Sequence, residues 1–329
     1  MKAVVLEQHN GATTLTMSEI DRPTLEPGAV RIAARAASVN RADLLIRAGT
    51  HTPAANPEAG PAVAGLDVAG EIIEVGDGVM DLRVGDNVMA MVPGGLAAEV
   101  VTPAAMAIPL PSTWSYVEGA AAVIALMTEH NALVTAGKMK AGDTVLVHAA
   151  ASGVGTQAVQ LAVLLGAGKV IGTTRSHGDS PVLNRRGINE LITVADGAFA
   201  DQVLELTQGH GADVILDHVG GPYLEENLRA AALAGRIVGV GRLGGRSGTL
   251  DLEELARKRL EIVGTTFRTR SAEEKASVVS ALRTDVDLEE HADALRPIVD
   301  QTFSWFKALD AQETLAHNTH VGKIVLEIQ

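Results

Sequence analysis

One stretch constrains the fold of this 329-residue chain more than any other. The aliphatic run Val145-Leu146-Val147 passes through His148 into Ala149-Ala150-Ala151-Ser152-Gly153-Val154-Gly155, and an apolar helical pattern, Gln157-Ala158-Val159-Gln160-Leu161-Ala162, follows at once. Strand, small-residue loop and helix in that order form the context a phosphate loop requires. Small residues let the backbone approach a pyrophosphate, and a helix N-terminus offers unpaired N–H groups and the positive end of its dipole. Ala150, Ser152, Gly153, Val154 and Gly155 are therefore candidate dinucleotide contacts, with Ala150 in the place of the first glycine of a G-x-G-x-x-G loop.

Around this stretch the hydrophobic period alternates. Strands are predicted at 144–148, 169–173, 190–193, 213–217, 236–240 and 261–265, with helices at 155–165, 180–186, 199–207 and 223–232. Such an order predicts an α/β, Rossmann-type doubly wound parallel sheet of about six strands with right-handed crossovers. The first 110 residues read differently, as short β-rich runs at 2–6, 29–37, 68–75, 87–91 and 98–102 punctuated by Gly, Pro and Asp. That half is expected to be β-barrel-like. A helical stretch at 118–136 marks the change, and helices at 272–283 and 305–317 precede a last strand, 323–328, expected to return to the first domain.

The end of the second strand of the alternating half selects the cofactor. A site for NAD expects Asp or Glu about 20 residues beyond the glycines, to hold the ribose 2′-hydroxyl. Here Thr173-Thr174-Arg175-Ser176 stands, with Arg175 22 positions past Gly153. A guanidinium beside hydroxyls suits a 2′-phosphate, so Thr174, Arg175 and Ser176 predict NADP(H) over NAD.

Composition removes other classes. The chain has no cysteine, which excludes disulfides, thiol nucleophiles and thiolate zinc sites, and no metal site is expected. A net charge of -13 without a Lys/Arg cluster argues against nucleic acid. The first residues read as a strand rather than a signal peptide, and no apolar run reaches the length of a membrane span. A cytoplasmic protein without membrane association is the expectation.

The residues also resemble the zinc-independent medium-chain dehydrogenase/reductases, the zeta-crystallin-like quinone oxidoreductases. Four segments carry the likeness: Val39-Asn40-Arg41-Ala42-Asp43-Leu44-Leu45-Ile46-Arg47-Ala48-Gly49; Gly65-Leu66-Asp67-Val68-Ala69-Gly70-Glu71 with Val84-Gly85-Asp86; His148 to Gly155; and Val321-Gly322-Lys323-Ile324-Val325-Leu326. The stretch Met89-Ala90-Met91-Val92-Pro93-Gly94-Gly95 looks closest to the tumour-suppressor-inducible subgroup. The resemblance implies a GroES-like catalytic domain at 1–122 and 267–329 and a Rossmann NADP-binding domain at 123–266, paired into a homodimer through the cofactor domains. It implies hydride transfer from NADPH to a quinone or similar electron-poor acceptor in the interdomain cleft, with reduction of an enone or enoyl-thioester double bond as the alternative.

Carried over residue by residue, the resemblance places Asn40, His51, Thr128 and His130 around the nicotinamide. His51 and His130 stand where the family commonly has an aromatic, and an imidazole there could hydrogen-bond a quinone oxygen or line the cleft. Phe267 and Arg268 are implied on the far side, Gly241 and Leu243 over the ribose, and Asn318 and Lys323 as C-terminal cofactor contacts. Asp179 stands where the family often has a lysine, so Arg175 carries most of the 2′-phosphate reading. Asp43 and Arg47 are spaced for an ion pair on one helical turn. Asp217 and His218, adjacent on a strand, should point apart, and His148 is expected to be a satisfied, partly buried histidine.

Overall fold

The computed structural model describes residues 1–9, 12–49, 62–175, 184, 186–194 and 196–329. His51, Ser176 and nearly all of the predicted helix at 180–186 lie outside the described residues. In chain order the elements are β1 (Lys2–His9), β2 (Ala12–Glu19), β3 (Ala29–Val39), α1 (Arg41–Arg47), β4 (Asp67–Val75), β5 (Asn87–Met91), β6 (Glu99–Pro103), β7 (Ala107–Pro109) and α2 (Tyr116–His130). There follow β8 (Thr144–Val147), α3 (Gly153–Leu164), β9 (Lys169–Thr174), β10 (Glu190–Thr193), α4 (Ala200–Leu206), β11 (Ala212–Asp217), α5 (Leu224–Ala230), β12 (Ala231–Gly239), α6 (Leu252–Lys258) and β13 (Glu261–Gly264). The chain closes with α7 (Ala272–Asp285), β14 (Val299–Ser304), α8 (Ala308–His317) and β15 (Lys323–Glu327). Among the described residues no helix is long and apolar enough to cross a membrane.

The chain divides into two compact units, Met1–Ile124 with Val279–Gln329, and Ala125–Val278. In the first, a sheet runs β14-β15-β3-β4-β5-β7, with β6 on β3, and β1 pairs with β2. Its pairings are antiparallel except β14 with β15. Side chains such as Val30, Ile32, Val68, Ile72, Val88, Ile324 and Leu326 form its core, each at most 1% exposed. β15 joins β3 in the register Ile324↔Val39 to Glu327↔Ala36. The last strand therefore inserts beside β3 in the sheet of the N-terminal strands β3 to β7, and it brings Lys323 to the end of β3, where Asn40 follows.

The second unit holds a six-stranded sheet in the order β10-β9-β8-β11-β12-β13. Every pairing in it is parallel. Parallel strands are covered on both faces, so they read as unbroken apolar runs. Val145-Leu146-Val147 and Val214-Ile215-Leu216 do so, at no more than 1% exposure. Strand order reverses between β8 and β11. Ligands of doubly wound sheets bind beyond the strand ends at such a point.

Among the departures from the sequence expectation, two helix ends have a clear local cause. The helix predicted to reach residue 232 stops at Ala230, because Ala231 pairs with Ala212 to open β12. Lys258 Nζ donates to the carbonyls of Leu228, Arg229 and Ala231 at 2.9, 2.6 and 2.9 Å, satisfying that helix end. The helix predicted at 118–136 is α-helical only to His130 and continues through Asn131–Ala136 as a π-helical turn. Gly137 N donates to Ala132 O at 2.8 Å there, five residues back. A side chain at Gly137 would place Cβ 2.7 Å from that oxygen, so glycine permits the turn.

Candidate active site

The glycine loop leaves β8 at the reversal point. Ala150 N donates to Thr173 O at 3.0 Å and His148 N to Leu216 O at 3.1 Å, so both neighbouring strands hold its entrance. Ser152 is the N-cap of α3 and accepts from Gly155 N at 3.0 Å. The amides of Gly153 and Val154 begin the helix, where no intrahelical acceptor exists. A Cβ on Gly155 would lie 2.3 Å from Ala149 O and 2.8 Å from Ala150 Cα. Loop and helix thus touch backbone to backbone, an arrangement that fits a pyrophosphate and leaves no room for a side chain. Thr174 is buried at the end of β9 while Arg175, next along the chain, is exposed.

His148 enters this loop fully buried. Its Nδ1 lies 2.9 Å from Thr173 Oγ1 and its Nε2 2.6 Å from Asn227 Oδ1. Asn227 in turn donates to Asp217 Oδ2 at 3.1 Å, and Asp217 Oδ1 accepts from Val219 N and Gly220 N at 2.8 Å each. Burial pulls the His148 pKa down to about 4, which makes the ring neutral at pH 7, donating from Nε2 to the Asn227 oxygen and accepting from Thr173. It is a satisfied histidine. Asp217 and His218 do point apart: His218 Nδ1 donates to His148 O at 2.8 Å and Nε2 meets Glu129 Oε1 at 3.0 Å.

Thr128 is half-buried on α2, whereas His130, two residues on, is fully buried. Gly241 and Leu243 follow β12; Gly241 N donates to Asp217 O at 3.0 Å and Leu243 N to His218 O at 3.1 Å, while the Leu243 side chain is exposed. Phe267 is half-buried beneath the Arg270 guanidinium, 5.4 Å from the ring centroid, and Arg268 is exposed. All of these lie in the second unit.

The first unit holds a second cluster, around Asn40. Lys323 Nζ donates to Asn40 Oδ1 at 2.7 Å, and Asn40 Nδ2 donates to Asp67 Oδ2, also at 2.7 Å. Asp67 further accepts from the Ser38 hydroxyl and the Ser38 amide, both at 2.5 Å. Asp43 does not reach along α1 to Arg47 as the spacing suggests. It turns inward, and its Oδ2 accepts from Asn40 N at 2.7 Å. Burial dominates the electrostatics: Asp43 is pushed up to about 7, Asp67 is raised and Lys323 is lowered, each toward its neutral form although the opposite charges partly offset this. Lys323 is 5% exposed, so its ammonium faces Asn40 rather than solvent. Asn318 caps α8 with φ +57°, and its side-chain oxygen accepts from Arg41.

Sequence reasoning did not single out Ser38, Asp67 or Glu129. Asp67 stood in a quoted segment, but nothing local to it points to Asn40, 27 residues away.

Residues 26–112 match the alcohol dehydrogenase GroES-like domain family and residues 153–283 the zinc-binding dehydrogenase family. The chain is 30% identical over 299 residues to the quinone oxidoreductase-like protein 2 homolog of Nematostella vectensis, covering 90% of this chain and 81% of that protein. This chain belongs to the zinc-independent quinone oxidoreductases of the medium-chain dehydrogenase/reductase superfamily. Within this oxidoreductase family, the quinone oxidoreductase of Rattus norvegicus is 28% identical over 330 residues, 99% of this chain and 97% of that one. A mycocerosic acid synthase-like polyketide synthase of Mycobacterium tuberculosis is 31% identical over 318 residues, 96% of this chain but 15% of the synthase. Two solved structures extend the comparison. A crystal structure of an NAD-dependent alcohol dehydrogenase superposes with TM-score 0.86 at 29% identity, covering 100% of both chains. Mycobacterial Rv1454c complexed with NADPH gives 0.84 at 28%, covering 99% of each. The quinone oxidoreductase fold therefore accounts for both units, although one matching family is named for zinc and this member has no cysteine.

Proposed function

We propose that this chain is an NADPH-dependent oxidoreductase that reduces quinones or similar electron-poor acceptors without zinc. The exposed Arg175 at the end of β9 carries the cofactor choice, because it occupies the position where an acidic residue would select NAD. The likeness to a structure complexed with NADPH supports it. Ala150 to Gly155 would hold the pyrophosphate, Thr174, Arg175 and Ser176 the 2′-phosphate, and Gly241 and Leu243 the nicotinamide ribose, with Phe267, Arg268 and Asn318 as further contacts. The bound nicotinamide supplies the hydride. A quinone is already a good hydride acceptor, so the chain's task is positioning and exclusion of water rather than Lewis-acid activation.

Thr128 is the accessible member of the proposed acceptor site on α2, and its hydroxyl can orient an acceptor oxygen. The full burial of His130 favours a lining role for that ring. Both side-chain amide protons of Asn40 face Asp67 and Ser38, so Asn40 acts through its placement, with Lys323 behind it. We include a homodimer in this reading, supported by the edge position of β13 and by Ile262 on it, 44% exposed.

Parallel titration of NADPH and NADH tests the reading. Wild type should prefer NADPH, and Arg175→Ala should weaken NADPH at least about tenfold while leaving NADH unchanged. Equal affinities in the wild type would refute the Arg175 argument. The likeness to a polyketide synthase segment favours a second reading, reduction of an activated carbon–carbon double bond. Steady-state rates with NADPH on a quinone panel and on an enone and enoyl-CoA panel separate the two, and absence of quinone turnover would overturn the first.

A further inference from the structure

We infer that His218 is a positioning residue for the dinucleotide loop, oriented by the buried carboxylate of Glu129. The inference rests on the dinucleotide reading above. His218 follows β11, directly across the strand-order reversal from the loop that follows β8. Its ring bridges two acceptors. Nδ1 donates to the carbonyl of His148 at 2.8 Å, and Nε2 lies 3.0 Å from Glu129 Oε1. An imidazole carries one N–H and an imidazolium two, so both contacts are made only when the ring and Glu129 share an added proton. The environment supports this: burial opposes the charge on His218, but Glu129, the His148 carbonyl and Asp217 together raise its pKa above the ordinary value. The other ionisable ring nearby, His148, is neutral and turned to Asn227.

Three further observations give the bridge its purpose. The residue after His148, Ala149, has φ +50°, a left-handed backbone that a non-glycine residue holds only when its surroundings impose it. The carbonyl that His218 grips begins that peptide. The backbone carbonyl of His218 also accepts from Leu243 N at 3.1 Å, and a Cβ on Gly241 would lie 2.5 Å from that oxygen. One residue therefore fixes the entrance of the glycine loop and the loop proposed over the ribose. Glu129, which orients the ring, lies between Thr128 and His130 on α2 and is 0% exposed, with its Oε2 buried and unpartnered. Its other oxygen, Oε1, is the one that meets His218 Nε2.

The two ring contacts can be removed separately in the full chain. His218→Asn keeps a donor at the Nδ1 place and loses Glu129; His218→Gln keeps a donor toward Glu129 and loses the loop carbonyl. A positioning role predicts that His218→Asn binds NADPH within about threefold of wild type despite a lower unfolding midpoint, whereas His218→Gln binds at least about tenfold more weakly at a near-normal midpoint. NADPH dissociation constants from nicotinamide fluorescence and midpoints from urea unfolding read the two effects. Affinity that follows stability in both variants, or that changes in neither, overturns the inference alone. A wild-type chain that binds neither NADPH nor NADH overturns the dinucleotide reading and this inference with it.

Discussion

Replacing Lys323 by methionine tests whether the polar cluster around Asn40 is a structural unit. Methionine keeps an unbranched apolar stem and deletes the ammonium that donates to Asn40 Oδ1 at 2.7 Å and draws on Asp67 and Asp43. Lys323 is 5% exposed, so water cannot replace the lost cation. Removing one partner from a buried charge pair costs about 3–5 kcal/mol. That loss is the expectation for Lys323→Met at pH 8. At pH 5 it should fall to about half, because the Asp43 carboxyl, pushed up to about 7 by burial, then holds a proton and no longer needs the cation. Adding Asp67→Asn should restore part of the stability, with a coupling of about 1–3 kcal/mol. Urea unfolding followed by tryptophan fluorescence is a selective assay, since both tryptophans, Trp114 and Trp305, are buried in the unit that holds Lys323. A loss below about 1 kcal/mol at pH 8, or additive effects in the double variant, would refute the account.

The pKa of Asp43 makes a separate prediction. Its folded-state value lies above the unfolded one, so its stabilising contribution is complete below pH 4 and is lost as pH rises through about 7; the rise from 3.8 to about 7 is worth about 4 kcal/mol. The difference in unfolding free energy between wild type and Asp43→Asn should therefore move against wild type by up to that amount between pH 4 and pH 8, and a flat difference would show the carboxyl to be unperturbed. The exposed edge of β13 predicts assembly: wild type should sediment as a dimer and Ile262→Lys as a monomer. A monomeric wild type removes the dimer from the proposed function.

What the sequence made legible was whatever is encoded locally. Strands 87–91 and 190–193 have the expected bounds, and the glycine loop stands where its strand–loop–helix pattern put it. β2, β7 and β14 are not among the expected strands, although for β2 the dipeptide Asn10-Gly11, a hairpin signal in the sequence, separates it from β1. Local period could not show the π-helical turn, because an α and a π turn bury nearly the same residues and differ in which carbonyl each amide meets. The bridges of the candidate site were out of reach for another reason. His218 and Glu129 are 89 residues apart and Lys323 and Asn40 are 283 apart. Asp43 misled because its spacing to Arg47 suits a surface ion pair, while its burial turns it toward the Asn40 amide.

The π-helical turn at Asn131–Ala136 has an evolutionary consequence. Such a turn is an α-helix carrying an extra residue. The surplus is stored immediately after Thr128-Glu129-His130, with Gly137 leaving room for the displaced carbonyls. Lineages of this fold can gain or lose one residue there while the preceding helical turns keep their register. Length variation among relatives at that point is therefore compatible with an unchanged constellation around Glu129 and His218.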